Sequence, residues 1–510
     1  MIAAARATRR AAPRLGVDVG AALSLVGTLT KYLSLSCLAP AALAVGYSEP
    51  FWPFLAAGGI AGATGWALER IQGSGEQAGL REGFLVVSLT WLFAAAYGAL
   101  PYVFAQESTL GNGVNALFES MSAFTTTGSS VVPDPAELSR SLLMWRQLSV
   151  WLGGMGIIVL FLAVLPRLRV GGRQLLETEA PGPEIEPLST TMRETARRFI
   201  LLYVAITAAG VLVLASFGWT KADEAMSFYD AVAHSFATVA TAGFSTEATS
   251  LAAFGVASQW AVIAFMIVAG TNFALLFRTF VRGQLLAAPR DDEFRLYSAV
   301  VILGSTVLVV EVLAEGIAGG EAAIRQGVFN AVSTMTTTGF ANADFNAWTS
   351  LTAVALVGLM FMSASAGSTS GGIKLARHLL IGRMLRRELA QTVHPELVTP
   401  VRLNGHPVDE RTLRAVIVFV LLYVGVFAVG ALGIVVESAR ANVEVSPFEA
   451  IAAAATTLAN VGPAFGFAGP FGSFEPFSDL SKVIMIALMW LGRLEIIPIA
   501  VLLTRSYWRP

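Results

Sequence analysis

The segments TTTGSS (Thr125 to Ser130), ATAGFS (Ala240 to Ser245), TTTGFA (Thr336 to Ala341) and ANVGPA (Ala459 to Ala464) align on Gly128, Gly243, Gly339 and Gly462. Each follows an apolar half-span, at Asn115–Phe124, Ala231–Val239, Phe329–Met335 and Phe448–Leu458. These run about ten residues, too short for a bilayer core that takes roughly 20 residues of helix. Longer apolar runs flank every copy, so the chain repeats one unit: span, short helix, glycine-centred polar turn, second span. Unwound backbone at membrane depth is tolerated only where its polar groups line water or an ion path. A single such turn reads as an ordinary polar loop. Four in register, all entering from the same side, predict re-entrant hairpins around one pseudo-fourfold axis with a single axial pore.

Composition agrees with a membrane protein. Of 510 residues 55% are hydrophobic and 14% charged, and the mean hydropathy is +0.66, more apolar surface than a soluble chain hides. Spans are expected near 20–46, 50–69, 83–105, 143–165, 199–217, 257–278, 297–318, 351–373, 413–436 and 481–503. Arg167, Arg169, Arg173, Arg193, Arg197 and Arg198, and Lys374, Arg377, Arg383, Arg386 and Arg387, then fall in loops on one side, which the positive-inside rule makes cytoplasmic together with both termini. The basic start (Arg6, Arg9, Arg10, Arg14) precedes a run read as a retained first span, not a cleaved leader. A net charge of −1 with scattered cations argues against nucleic-acid binding. Cys37, the sole cysteine, excludes an intrachain disulfide and a cysteine-rich metal site, and reads as a packed membrane residue. No cytoplasmic segment reaches the roughly 50 residues of a small domain, so a large regulator would be a separate chain.

The turns have the chemistry of a cation filter. Glycine permits dihedrals that aim successive carbonyls inward, and Thr and Ser hydroxyls can replace parts of a hydration shell. The short helices direct their partially negative C-terminal ends at the axis. No acidic ring occurs at the turns, which points to a monovalent rather than a divalent ion. The candidate filter is Thr126, Thr127, Gly128, Thr241, Ala242, Gly243, Thr337, Thr338, Gly339, Asn460, Val461 and Gly462.

With GSTSGGIK (Gly367 to Lys374) and LGRLEIIP (Leu491 to Pro498), these turns resemble the Trk/Ktr/HKT superfamily of potassium transporters over nearly the whole chain. The two spans before the first repeat look like the extra hairpin of the Trk branch. The resemblance implies an all-α polytopic membrane protein of four covalently linked helix, pore-loop and helix repeats plus an N-terminal two-helix hairpin. The expected boundaries are 1–80 for the tail and hairpin, and 81–175, 195–290, 295–390 and 410–510 for the repeats. It further implies potassium uptake across the bacterial inner membrane, with K+ held at Thr126, Thr127, Thr241, Ala242, Thr337, Thr338, Asn460 and Val461. A homodimer with one pore per protomer and a separate cytosolic NAD(H)- or nucleotide-binding regulatory subunit are implied partners. Glycine at all four positions resembles the potassium-selective members, whereas Ser at the first favours sodium. Ala240 and Ala242 in the second turn, and Asn460-Val461 in the fourth, depart from the pattern and make the ring of hydroxyls uneven.

Ala364 to Gly372 is a poor helix of small polar residues and glycine. It reads as a loop beneath the filter, with Gly367, Ser368, Thr369, Ser370, Gly371 and Gly372 as the intramembrane gate that the resemblance implies. Close packing through small residues is the alternative. Arg493 lies about a dozen residues into the last span, or roughly 18 Å along a helix, near the midplane. A charge there raises the barrier to cations. Its alternative is a structural pair with Glu495 or with loop carbonyls, although Glu495, two positions on, does not share its helix face. Lys374 reads either as a gating contact or as a snorkelling anchor. Glu119 and His234, each nine residues before a filter glycine, read as packed or hydrogen-bonded residues behind the filter. Lys31 receives no transport role.

A sodium- or proton-coupled cation carrier with alternating access is the alternative function, but carriers usually show inverted repeats. A membrane enzyme is the third class. His234, His378, His394 and His406 are dispersed rather than clustered for catalysis, and the last three fall in the basic segment read as a docking surface for the regulator.

Overall fold

The computed structural model describes residues 17–71, 79–163 and 192–509. The basic N-terminal arginines and Arg167, Arg169 and Arg173 lie outside the described residues. Among those described, the only strands are β1 (Arg402–Leu403) and β2 (His406–Pro407), one antiparallel pair; everything else that is regular is helix.

The first two spans are a hairpin: α1 (Val19–Ser36) continues into α2 (Leu38–Tyr47), and α3 (Trp52–Glu69) returns along α1. Four similar units follow. The first holds α4 (Leu80–Ala105), the short α5 (Gly113–Phe124) and α6 (Arg140–Ala163). The second holds α7 (Met192–Trp219), short α8 (Phe228–Ala240) and α9 (Val256–Ala269). The third holds α10 (Asp292–Ala314), α11 (Gly320–Met335) and α12 (Ser350–Phe361), and then α13 (Leu375–Val393). The fourth holds α14 (Glu410–Arg440), short α15 (Pro447–Ala459), α16 (Asp479–Arg493) and α17 (Ile497–Leu502).

Local chemistry starts the short helices. Asn112 accepts from Val114 N at 2.8 Å before α5, Ser227 from Asp230 N at 3.1 Å before α8, and Ser446 with Glu449 forms a capping box before α15, where Pro447 sits at the first position. Each short helix packs on the span before it. Each also packs on the helix that follows the glycine turn of a neighbouring unit: α6 on α8, α9 on α11, α12 on α15, and α16 on α5. These four pairs run from the first unit to the fourth and back to the first, so the units close a cycle with the short helices inside.

Several expected spans differ in detail. Among the described residues, five helices are long and apolar enough to cross a membrane unaided: Val19–Tyr47, Arg81–Ala105, Glu194–Trp219, Asp292–Ala314 and Glu410–Arg440. The expected span 257–278 is a bent pair, Val256–Ala269 and Phe273–Val281, turning by 102°. Its apolar run hides the break, which falls at Gly270-Thr271-Asn272, where Asn272 caps the next turn by accepting from Ala274 N at 2.7 Å. The expected span 351–373 is helical only to Phe361. The last expected span breaks after Arg493, where Glu495 and Ile496 both take φ of 58°. Arg493 therefore ends a helix instead of lying within a continuous one. The third short helix starts at Gly320, nine residues before the expected Phe329, because its first turns are polar and hydropathy passes over them.

Candidate functional site

The four short helices that reach the centre end alike. Two residues before each aligned glycine the backbone is left-handed: φ is 52° at Thr126, 54° at Thr241, 55° at Thr337 and 56° at Asn460. The following amide reaches back five residues, Thr127 to Ser122 O at 2.8 Å, Ala242 to Ala237 O at 2.9 Å, Thr338 to Ser333 O at 2.9 Å and Val461 to Thr456 O at 3.0 Å. This closure satisfies helix-end carbonyls and swings the chain sharply toward the axis. Left-handed backbone at a β-branched residue costs of order 1–3 kcal/mol and persists only where the surroundings impose it.

Past that point the four turns converge. A Cβ on Gly128 would lie 2.5 Å from Gly243 N, one on Gly243 2.5 Å from the carbonyl carbon of Gly339, and one on Gly462 3.0 Å from Thr127 O. One on Gly339 would meet the Val461 carbonyl oxygen. The contacts pass from turn one to two, three, four and back to one. Side chains leave no room in such a ring, so Gly243 is needed for close approach even though its φ is not left-handed.

The backbone carbonyls of the ring are the central chemical fact. Among the described residues, no donor hydrogen-bonds the carbonyl oxygens of Thr126, Thr127, Gly128, Thr241, Ala242, Gly243, Thr337, Thr338, Gly339, Asn460 or Val461. Only Gly462 O is engaged, by Ser129 Oγ at 2.7 Å. Thr126, Thr127, Thr241, Ala242, Thr337, Thr338, Asn460 and Val461 are all fully buried. Buried carbonyls normally find a donor, so a ring of free ones leaves a set of neutral oxygens open to a ligand. The hydroxyls serve differently. Thr127 Oγ1 lies 2.8 Å from Thr125 Oγ1 and accepts from Asn460 Nδ2 at 2.9 Å, and Thr338 Oγ1 lies 2.8 Å from Thr336 Oγ1. They brace the turns, while Thr126 Oγ1 and Asn460 Oδ1 are buried without a partner among the described residues.

Behind the turns, each position nine residues before a glycine holds its own loop in three of the four units. Glu119 accepts from Val131 N at 2.9 Å and Ser130 Oγ at 2.9 Å, and pairs with Arg146 at 2.7 Å. His234 Nε2 lies 2.9 Å from Ser245 Oγ, and Asn330 Nδ2 donates to Asn342 Oδ1 at 2.9 Å. On the side of the turns away from the short helices' C-terminal ends, the four glycines line a cleft with Arg146 and Glu247. Partial burial, then the charges of Asp230 and Asp134, hold the Glu247 carboxyl above its ordinary range.

Directly beneath the turns, Met362 to Lys374 is an irregular segment whose stretch Ser368–Lys374 is buried. It is tied to three units. Thr369 Oγ1 donates to Val239 O at 3.1 Å, Gly371 N to Thr337 Oγ1 at 2.9 Å, and a Cβ on Gly371 would lie 2.5 Å from Ala459 O. Gly367 and Gly372 take φ of 72° and 64°, which glycine alone adopts freely. Arg493 reaches the segment from the end of α16, donating through Nη1 to Thr369 O at 2.7 Å and through Nη2 to Gly153 O at 3.3 Å. It does not pair with Glu495, which instead binds Arg377. Lys374 does not snorkel: it is 4% exposed, and its Nζ donates to Ser370 O and, at 3.0 Å, to Ser370 Oγ.

A family model described as "TrkH: Cation transport protein" matches residues 60–509. The chain belongs to the TrkH cation transport family. Among curated relatives, the Trk system potassium uptake protein TrkH of Escherichia coli K12 is 36% identical over 432 residues, covering 84% of this chain and 86% of the relative. That of Vibrio parahaemolyticus is 35% identical over 496 residues, covering 96% and 99%. The crystal structure of the potassium transporter TrkH from Vibrio parahaemolyticus superposes with a TM-score of 0.84 at 32% identity, over 96% of this chain and 99% of that one. A multi-pass, mostly helical membrane protein follows from this membership and from the apolar helices.

Within this TrkH-type frame, three contacts escaped the sequence reading. Glu293, buried at the start of α10, accepts from Ala366 N at 2.6 Å and Ala376 N at 3.2 Å, so one carboxylate ties the irregular segment to the first turn of α13. In the sequence it looks like one more acidic residue of Asp291-Asp292-Glu293, a helix-start pattern. Arg377 pairs with Glu495 and stacks over Phe419 at 3.8 Å. Arg146 belongs with Glu119, but their 27-residue separation gives no periodic signal.

Proposed function

We propose that this chain takes up potassium across the bacterial inner membrane through one axial, cation-selective pore, its termini cytoplasmic. The observation that carries the reading is the ring of four turns whose buried carbonyls, Gly462 O apart, accept no hydrogen bond from the described residues. Such oxygens stabilise a cation stripped of water, and their neutrality suits a monovalent ion. Thr126, Thr127, Thr241, Ala242, Thr337, Thr338, Asn460 and Val461 would supply the K+ ligands mainly through their backbone, which explains why Ala and Val are acceptable in a filter. The four units act as pore repeats and α1 to α3 as the accessory hairpin. The relatives named as potassium uptake proteins support potassium as the ion.

The irregular segment Gly367 to Gly372, with Lys374, is the gate in this reading. It lies under the turns, held by Arg493, so entry from the filter to the inner side requires its displacement. The family name and the short cytoplasmic segments fit a homodimer served by a separate nucleotide-binding regulatory subunit that moves this segment from below. Radioactive rubidium uptake into a potassium-uptake-deficient bacterium expressing the chain, competed with potassium and with sodium, tests the function. Competition by potassium at much lower concentration than by sodium is expected. Absent uptake, or equal competition, would overturn the assignment.

A further inference from the structure

Arg140, the first residue of α6, takes no part in the ion path. Its guanidinium lies 5.2 Å from the Tyr47 ring centre and 5.4 Å from that of Tyr229. Among the described residues it makes no ion pair and no side-chain hydrogen bond. Only its backbone is used, the amide donating to Glu49 Oε1 at 2.9 Å and the carbonyl accepting from Tyr229 Oη at 2.7 Å. Beneath this cation opens a cavity of about 550 Å3 between α2, α6 and α8, with Leu43, Leu148 and Phe236 in its walls. Small-molecule sites span about 300–1,000 Å3. The cavity opens at the surface of the bundle, where Tyr47 and Phe228 are 43% and 58% exposed. From Arg140 to Leu148 is about 12 Å along a helix, close to half of a hydrocarbon core of about 30 Å.

A cation with unused donors at headgroup level, flanked by two tyrosines of the kind that sit at membrane interfaces, above an apolar slot one leaflet deep, matches one ligand chemistry. We propose that this cavity binds an anionic phospholipid of the outer leaflet, its phosphate on Arg140 between Tyr47 and Tyr229 and an acyl chain along Leu43, Leu148 and Phe236. Arg favours phosphate because its fork of donors fits the oxygens. In the orientation proposed above, the leaflet is that of the start of α6, on the side where the chain returns from the first glycine turn. Phe236 sits four residues before Ala240, where the second turn begins, and stacks on Trp151 at 5.3 Å. The acyl chain therefore backs the short helix that carries that turn.

Native mass spectrometry of the full chain in detergent, titrated with phosphatidylglycerol or with diacylglycerol of the same acyl chains, tests this. One tightly retained phosphatidylglycerol per chain is expected, with diacylglycerol retained at least tenfold less. Arg140→Gln should weaken phosphatidylglycerol retention at least tenfold, and Val232→Trp, at a position on α8 that lines the slot, should fill it and abolish retention. Equal retention by wild type and a folded example of either variant would overturn the proposal, as would equal retention of the two lipids. A Val232→Trp variant that loses its dimer while keeping the lipid would show a second copy of the chain in the slot, and would also overturn it.

Discussion

Replacing Arg493 by Ala removes two charge-assisted hydrogen bonds to the segment beneath the turns and its neighbour, one of 2.7 Å to Thr369 O and one of 3.3 Å to Gly153 O. Bonds to a charged group contribute roughly 1.5–3 kcal/mol each, and the longer one less. Their loss withdraws about 2–4 kcal/mol from the arrangement with the segment in place, a shift of roughly 30- to 1,000-fold at about 1.4 kcal/mol per decade. Removing a buried positive charge also lowers the barrier to an entering cation. The expected outcome is faster rubidium uptake into proteoliposomes holding the chain alone, rising until the segment is mostly displaced. Arg493→Lys separates the two contributions, since it keeps the charge but has no planar fork to span both carbonyls. Uptake should then fall in the order Ala, Lys, wild type. Arg493→Ala liposomes that match wild type at equal protein content would refute the reasoning, because neither a latch nor a barrier would have been removed.

Shortening Gly367–Gly372 should likewise raise basal uptake, since the remaining segment cannot reach Val239 and Thr337 together; unchanged uptake counts against the gate. Gly128→Ser places a side chain at a φ of 86° and a Cβ 2.5 Å from Gly243 N, so the first two turns must part and sodium should compete better with rubidium. Arg146→Ala leaves the buried Glu119 without its ion-pair partner, which should cost about 3–5 kcal/mol of stability. Thermal unfolding in detergent would record this as a lower midpoint, and Arg146→Met combined with Glu119→Leu should recover most of it. The Glu247 carboxyl is held above its ordinary value, so it takes up its proton at a pH above the usual carboxylate range of about 4.3. Below that raised value the mouth loses a negative charge. Uptake at low rubidium should weaken as pH falls through it, and Glu247→Gln should flatten that part of the profile.

The repeat was legible because glycine punctuates it four times at one offset from a half-length apolar helix. The helix-poor run at Gly367 was legible for a similar reason, since small polar residues and glycine cannot sustain helix. What escaped was whatever depends on direction. Hydropathy registers Val256 to Val281 as one span, and the bend of 102° leaves the average unchanged. Lys374 is chemically suited to snorkelling, and only the placement of Ser370 above it shows that the ammonium turns inward. The left-handed residues two before the first three glycines escape sequence reading because Thr is an unfavourable choice for that conformation, whereas Asn460, before the fourth, is a favourable one. The braced hydroxyls of Thr127 and Thr338 were read as ion ligands, since sequence cannot say whether a hydroxyl faces its own strand or the axis.

The most direct measurement is anomalous diffraction from crystals of this chain grown with rubidium or thallium. The account predicts anomalous density on the axis of the four turns, within coordination distance of the carbonyls of Thr127, Ala242, Thr338 and Val461. An ordered ring with no density on its axis, or density confined to sites away from these carbonyls, would contradict it.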